Sequence, residues 1–125
     1  MLDKRTIVAF SATNDPERAK TFYRDVLGLP LQEDSPFALV FAAGGTMLRV
    51  QKTTGHKPAP HTLLGFDVPD IAADVRALLE RGVHFERYPD MDQDELGIWR
   101  APGSGAKIAW FKDADGNVLS LSQFV

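Results

Sequence analysis

The chain repeats itself, and the repeat restricts what it can fold into. Val8 to Asp15 reads as an apolar strand running into a helix cap, and Leu63 to Asp70 reads the same way 55 residues later. Each copy continues through an amphipathic helix, a glycine stop and further strands. A second correspondence sets Gly45-Thr-Met-Leu-Arg49-Val against Gly116-Asn-Val-Leu-Ser120-Leu. Two diverged copies of one module follow, and equivalent positions on their inner faces become the candidate site.

In the first copy, residues 6–11 form a short β-rich run. Asp15 is placed as a helix N-cap, with Pro16 at the first helical position, where its missing N–H is not needed. Ala19, Phe22, Tyr23, Val26 and Leu27 then fall on one helical stripe, and Gly28 supplies the left-handed stop. Strands are expected near 29–33, 37–42 and 46–52, the last two joined at Gly44-Gly45. Residues 53–60, with Gly55, Pro58 and Pro60, read as a linker. The expected organisation is a single domain over 1–125, with module one at 1–54, a linker at 55–60 and module two at 61–125.

The second copy opens with a strand at 61–68. Asp70 caps a helix whose stripe is Ile71, Val75, Leu78 and Leu79, and Gly82 ends it. A strand is expected at 83–87, then an irregular acidic loop and a short strand at 98–100. A final hairpin, 106–112 with 117–124, closes through a type I′ turn at Asp115-Gly116. Strand alternation sorts the side chains. Ile7, Ala9, Leu64, Phe66 and Val68 are assigned to the helix side with Leu48, Val50, Leu119 and Leu121. Val8, Phe10, Met47, Arg49, His61, Leu63, Trp110 and Ser120 are assigned to the other face.

Several chemistries are excluded at once. The chain has no cysteine, so disulfides, zinc–thiolate sites and cysteine nucleophiles are absent. A net charge of −3 with interspersed signs leaves no footprint for nucleic acid or an anionic membrane. No apolar stretch nears the ~20 residues of a bilayer span, and the N-terminus lacks a signal-peptide core, so a cytoplasmic location is expected. Asp90-x-Asp92-x-Asp94 opens like a calcium loop but has Glu95 where glycine belongs and Ala101 where glutamate belongs. Asp113 to Asn117 reads as turn chemistry. His56, His61 and His84 have no nucleophile partner at recognisable spacing.

Three segments carry a resemblance. Phe22-Tyr23-Arg24-Asp25-Val26-Leu27-Gly28 ends the first helix, Phe66-Asp67-Val68-Pro69-Asp70-Ile71 enters the second, and Trp110-Phe111-Lys112-Asp113-Ala114-Asp115-Gly116-Asn117 approaches the last strand. In this order, on a doubled βαβββ unit, they resemble the vicinal oxygen chelate superfamily of glyoxalases, bleomycin-resistance proteins and extradiol dioxygenases. The resemblance implies an α+β fold of two βαβββ modules, with curved mixed sheets forming a cleft, helices on the outer face and a homodimeric assembly.

The resemblance also implies four metal positions, two per module, which fall here at Val8, Arg49, Leu63 and Ser120. Aliphatic groups offer no donor, and a guanidinium repels a cation. The expectation is therefore a metal-independent protein without a cofactor, binding a small molecule between aromatic walls (Trp110, Trp99, Phe10, Phe37), with Arg49 as anion anchor. An alternative is a metal-dependent lyase, isomerase or dioxygenase whose ligands lie at other positions (His61, Glu33, Asp67 or Glu86). A purely structural or regulatory dimer is a third reading.

Overall fold

The repeat in the sequence is a repeat of topology. Residues 1–124 are described in this computed structural model. The chain divides into two compact units, Met1–Lys57 and Pro58–Val125, with the boundary inside the expected linker. Each unit is a four-stranded mixed sheet with one helical segment, so the fold is α+β with two βαβββ modules. After a short 3₁₀ turn at Leu2–Lys4, the first unit contains β1 (Val8–Thr13), α1 (Pro16–Lys20), β2 (Leu31–Asp34), β3 (Ala38–Ala43) and β4 (Thr46–Lys52). The second contains β5 (Thr62–Asp67), α2 (Ile71–Glu80), β6 (Trp99–Arg100), β7 (Lys107–Lys112) and β8 (Val118–Gln123). The strand orders, β1-β4-β3-β2 and β5-β8-β7-β6, are the same order in both copies. β1–β4 and β5–β8 are parallel, and every other pair is antiparallel.

The helix starts follow from their caps. The Asp15 carboxylate accepts from the Arg18 amide and the Asp70 carboxylate from the Ala73 amide, each satisfying one otherwise orphaned donor. Gly28 and Gly82 then leave the helices at positive φ, 76° and 88°. The first helix departs from a simple 3.6-residue stripe. After Lys20 it widens into a π-helical stretch, Thr21–Val26, in which the Leu27 amide reaches the Phe22 carbonyl at 2.9 Å. Its wide turn carries the Phe22–Tyr23 edge-to-face pair, and Tyr23 lies 5.5 Å from Phe41 of β3, centroid to centroid. Ala19 and Tyr23 are fully buried, while Phe22, Val26 and Leu27 are half-buried. In the second unit, Ile71 and Val75 are buried on α2, which packs on β7 and β8.

Four local expectations are corrected. β1 begins at Val8 because parallel pairing with β4 begins at Val8 beside Met47, so Ile7 lies ahead of the sheet and is exposed rather than beneath the helix. The strand instead extends to Thr13, whose carbonyl accepts from the Thr53 amide and whose hydroxyl accepts from the Asp15 amide. Residues 83–87 are not a strand. Only a single bridge, Phe85 to Phe111, and the Glu86 amide on the Trp110 carbonyl tie them to β7. The final hairpin lacks a type I′ turn, because no non-glycine residue among the described residues has positive φ, Asp115 included. A turn through Ala114 and Asp115 is followed by Gly116 at φ 89°, the three-residue bulged form. Asp113 holds this turn by accepting from the Asp115 and Asn117 amides and the Asn117 side chain. At Gly44-Gly45, by contrast, both residues have positive φ and close the expected two-residue hairpin.

No helix of the described residues is long and apolar enough to cross a membrane. A charge cluster ties strands to helix: Asp34 on β2 accepts from Lys20 at 2.6 Å and from Lys52 at 2.5 Å. The hydrogen bond from Lys20, then that from Lys52, holds the Asp34 carboxyl below the usual carboxylate range. Bonding to Asp34, then to Glu17, raises Lys20. Folding thus favours the ionised Asp34, and its contribution is complete above the ordinary carboxylate range and lost as pH falls through its depressed value. The contribution of Lys20 is present below the ordinary lysine range and lost as pH rises past its raised value. Asp34→Asn is expected to melt below the parent near about pH 7, and the gap should close toward about pH 2 in a thermal-denaturation series.

Candidate functional site

The two parallel strand pairs fix which side chains share a face, because register partners in a sheet project to the same side. In the first unit Val8 stands beside Met47, and Phe10 beside Arg49, which in turn faces Val40 of β3. Val8, Phe10, Met47 and Arg49 therefore share one face, opposite to the buried Leu48, Val50 and Phe41. Phe10 is 50% exposed and Val8 and Met47 are each 42% exposed. Arg49 is half-buried among them. Its Nη1 lies 3.9 Å from the Met47 sulfur, and it forms no ion pair among the described residues. Phe37 lies just ahead of β3 and is exposed at 77%.

The equivalent row of the second unit is Gly65–Ser120–Trp110. Ser120 is buried, and its hydroxyl fills the space that a side chain on Gly65 would need, since a Cβ there would lie 2.8 Å from the Ser120 oxygen. Trp110 anchors an aromatic cluster on the same face. Tyr88 meets it edge-on at 5.6 Å, and Trp99 lies 6.0 Å away at a 39° tilt. The indole N–H of Trp110 donates to the Thr62 hydroxyl at 3.1 Å. The loop behind the cluster is tied down by Gln93, which accepts from the Tyr88 amide and donates to the carbonyls of Glu86 and Gly97.

Thr62 and Tyr88 are the neighbours of Trp110 that sequence reasoning missed. Strict alternation sends Thr62 to the helix side with Leu64. In the structure β5 carries a bulge: Thr62 pairs with Val118 and Leu64 with Leu119, so Leu63 is an extra residue. Alternation reverses there, which lets Thr62 reach Trp110. Leu63 is 41% exposed, and His61 is exposed just ahead of the strand. Tyr88 sits in an irregular segment whose placement depends on Gln93, a contact with no local sequence signal.

The four positions that resemblance assigned to a metal were Val8 and Arg49 in one unit and Leu63 and Ser120 in the other. The register makes Arg49 and Ser120 equivalents, each beside the third paired residue of its parallel partner strand, Phe10 and Gly65. Two of the four side chains have no donor atom, one is a neutral hydroxyl and one is a permanent cation. That set does not fit a divalent ion.

The comparisons with known proteins agree with the topology. The sequence model of the Glyoxalase/Bleomycin resistance protein/Dioxygenase superfamily matches residues 7–121. The chain belongs to this superfamily. Among solved structures of the fold is TnmS3, an antibiotic binding protein from Streptomyces sp. CB03234. It is 27% identical with a TM-score of 0.73, covering 100% of this chain and 99% of its own. A member of the glyoxalase/bleomycin resistance protein/dioxygenase superfamily from Sphaerobacter thermophilus DSM 20745 is 26% identical at 0.73, covering 98% and 99%. Lactoylglutathione lyase from Agrobacterium tumefaciens is 18% identical at 0.66, covering 95% and 93%, a likeness of fold alone. No curated protein matches the sequence.

The superfamily fold thus carries, in this chain, a tight Gly65–Ser120 contact beneath the aromatic cluster. Gly65→Ala is expected to destabilise the protein by about 1–2 kcal/mol through crowding of the Ser120 hydroxyl. Adding Ser120→Ala should recover most of that loss, a non-additivity read from a double-mutant cycle in urea.

Proposed function

We propose that this superfamily member binds a flat, amphipathic small molecule bearing an acidic group, and does so without a metal ion. One observation carries the reading. The positions where metal-using relatives place ligands hold Val8, Arg49, Leu63 and Ser120, while the sheet face shared with Ser120 bears a built aromatic cluster of Trp110, Trp99 and Tyr88. Aromatic faces hold planar ligands by stacking and area burial. The cation on the equivalent face of the first unit, Arg49, has no carboxylate partner among the described residues and sits amid Val8, Phe10 and Met47, a setting in which a guanidinium gains from a ligand carboxylate or phosphate. Leu63, 41% exposed at the bulge, adds apolar surface. The likeness to an antibiotic binding protein supports a binding rather than a catalytic role. The half-exposed Phe10, Val8 and Met47 support a homodimer, the assembly that the family resemblance implies.

Anthraquinone-2-carboxylic acid and its methyl ester, titrated against tryptophan fluorescence, test the reading. Saturable quenching is expected, with the acid about tenfold tighter than the ester, a difference of about 1.4 kcal/mol. Arg49→Ala should abolish that preference, and Trp110→Ala should weaken both ligands. Light scattering on the same samples should give twice the 13.8 kDa chain mass. Absence of quenching, or an acid preference that survives Arg49→Ala, contradicts the proposal.

A further inference from the structure

A cavity lies within the second unit, on the opposite side of its sheet from Trp110. Its volume is about 590 Å³, and it is bounded by the start of α2, the acidic loop and the ends of β6, β7 and β8. That volume is in the range of small-molecule sites. Arg100 of β6 is the register partner of Lys107 of β7, and Lys107 is the partner of Gln123 of β8. The three alternate with Trp99, Ile108 and Ser122, so they form a row on the helix side of the sheet. The Gln123 side-chain oxygen accepts from the Ile71 amide at 2.9 Å and so joins this row to the first turn of α2.

The charges in this cavity are unusual in being near one another and largely unspent. Arg100 and Lys107 stand directly opposite across two strands, an arrangement that is unfavourable for like charges without a counter-ion. Neither forms an ion pair among the described residues, although three carboxylates line the same cavity. Two of those carboxylates are occupied. Asp70 caps α2, and Asp94 accepts from the amides of Leu96 and Ile98. Asp92 has no hydrogen-bond or ion-pair partner among the described residues.

We infer that this cavity is a second binding site, for a small zwitterion carrying one ammonium and one carboxylate, of the amino-acid or short-peptide type. The carboxylate lies on Arg100 and Lys107, and the ammonium faces Asp92. A simple anion fits less well, because three carboxylates outnumber two cations in the lining. A simple cation fits less well, because it leaves the opposed Arg100 and Lys107 uncompensated. Gln123 and the tied acidic loop preform the walls, so the ligand does not have to order them. The site is separate from the aromatic face and does not depend on the function proposed for it.

Trialanine, its N-acetyl form and its C-terminal amide, each titrated into the ¹⁵N-labelled full chain by NMR, test the inference. Saturable shifts are expected for trialanine at the amides of Ile71, Ala72, Ile98 and Arg100, with acetylation or amidation each weakening binding at least fivefold. Arg100→Ala and Asp92→Ala, both at exposed positions, should weaken it to a similar degree, and Arg49→Ala should leave it unchanged. Equal binding of all three peptides, shifts elsewhere, or no saturable shifts would overturn the inference.

Discussion

Each half of the molecule depends on one parallel strand pair, β1 with β4 and β5 with β8. Parallel strands need a crossover, and in each copy the crossover is the capped helix together with the antiparallel strands that follow it. The register of that pair decides which residues share a face. In the first unit it brings Val8 and Phe10 into line with Met47 and Arg49. In the second it brings Gly65 into line with Ser120, and the antiparallel partner β7 then adds Trp110. A slip of one residue would send all of these to the helix side. Leu48, Val50, Leu119 and Leu121 oppose such a slip, since each is buried beneath the helices' side of its sheet.

The two copies have diverged most where their faces carry chemistry. The row Phe10–Arg49–Val40 is apolar with one cation at its centre, whereas the row Gly65–Ser120–Trp110 is small, hydroxylic and aromatic. Gly65 is fixed by close approach rather than by backbone angle, because the Ser120 hydroxyl occupies the volume of its missing Cβ. The bulge at Leu63 is the other asymmetry. It turns Thr62 toward Trp110, and the resulting hydrogen bond fixes the indole that Tyr88 and Trp99 flank. Nothing comparable interrupts β1, whose pairing runs unbroken from Val8 to Thr13.

Much of this was legible in the sequence, because it is written in local signals. Asp15-Pro16 and Asp70 announce helix starts, Gly44-Gly45 a tight hairpin, and the 55-residue repeat the topology itself. Arg49 and Ser120 could be matched by aligning the chain to itself. The features that were not legible arise from partners distant in sequence. The bulge at Leu63 is set by the register of β8, and the placement of Tyr88 by the Gln93 side-chain oxygen, which accepts from the Tyr88 amide. Residues 83–87 have strand composition but make only one bridge, Phe85 to Phe111, and the Arg87 guanidinium that follows donates to the carbonyls of Asp94 and Glu95. The cavity beside α2 belongs to the same class. Arg100, Lys107 and Asp92 read as ordinary surface charges until the strand pairing sets them around one space.

A superfamily fold hosts many chemistries, so the side chains at the duplicated inner positions carry the functional argument. Here they supply hydrocarbon, a hydroxyl and a guanidinium, beside an aromatic wall suited to a planar ligand. The most direct test of that claim is elemental analysis of the purified full chain, coupled to ligand binding before and after chelation. The account predicts divalent metal well below one equivalent per chain and an affinity unmoved by chelator or by added zinc, manganese or nickel. One tightly held equivalent whose removal abolishes ligand binding would contradict it.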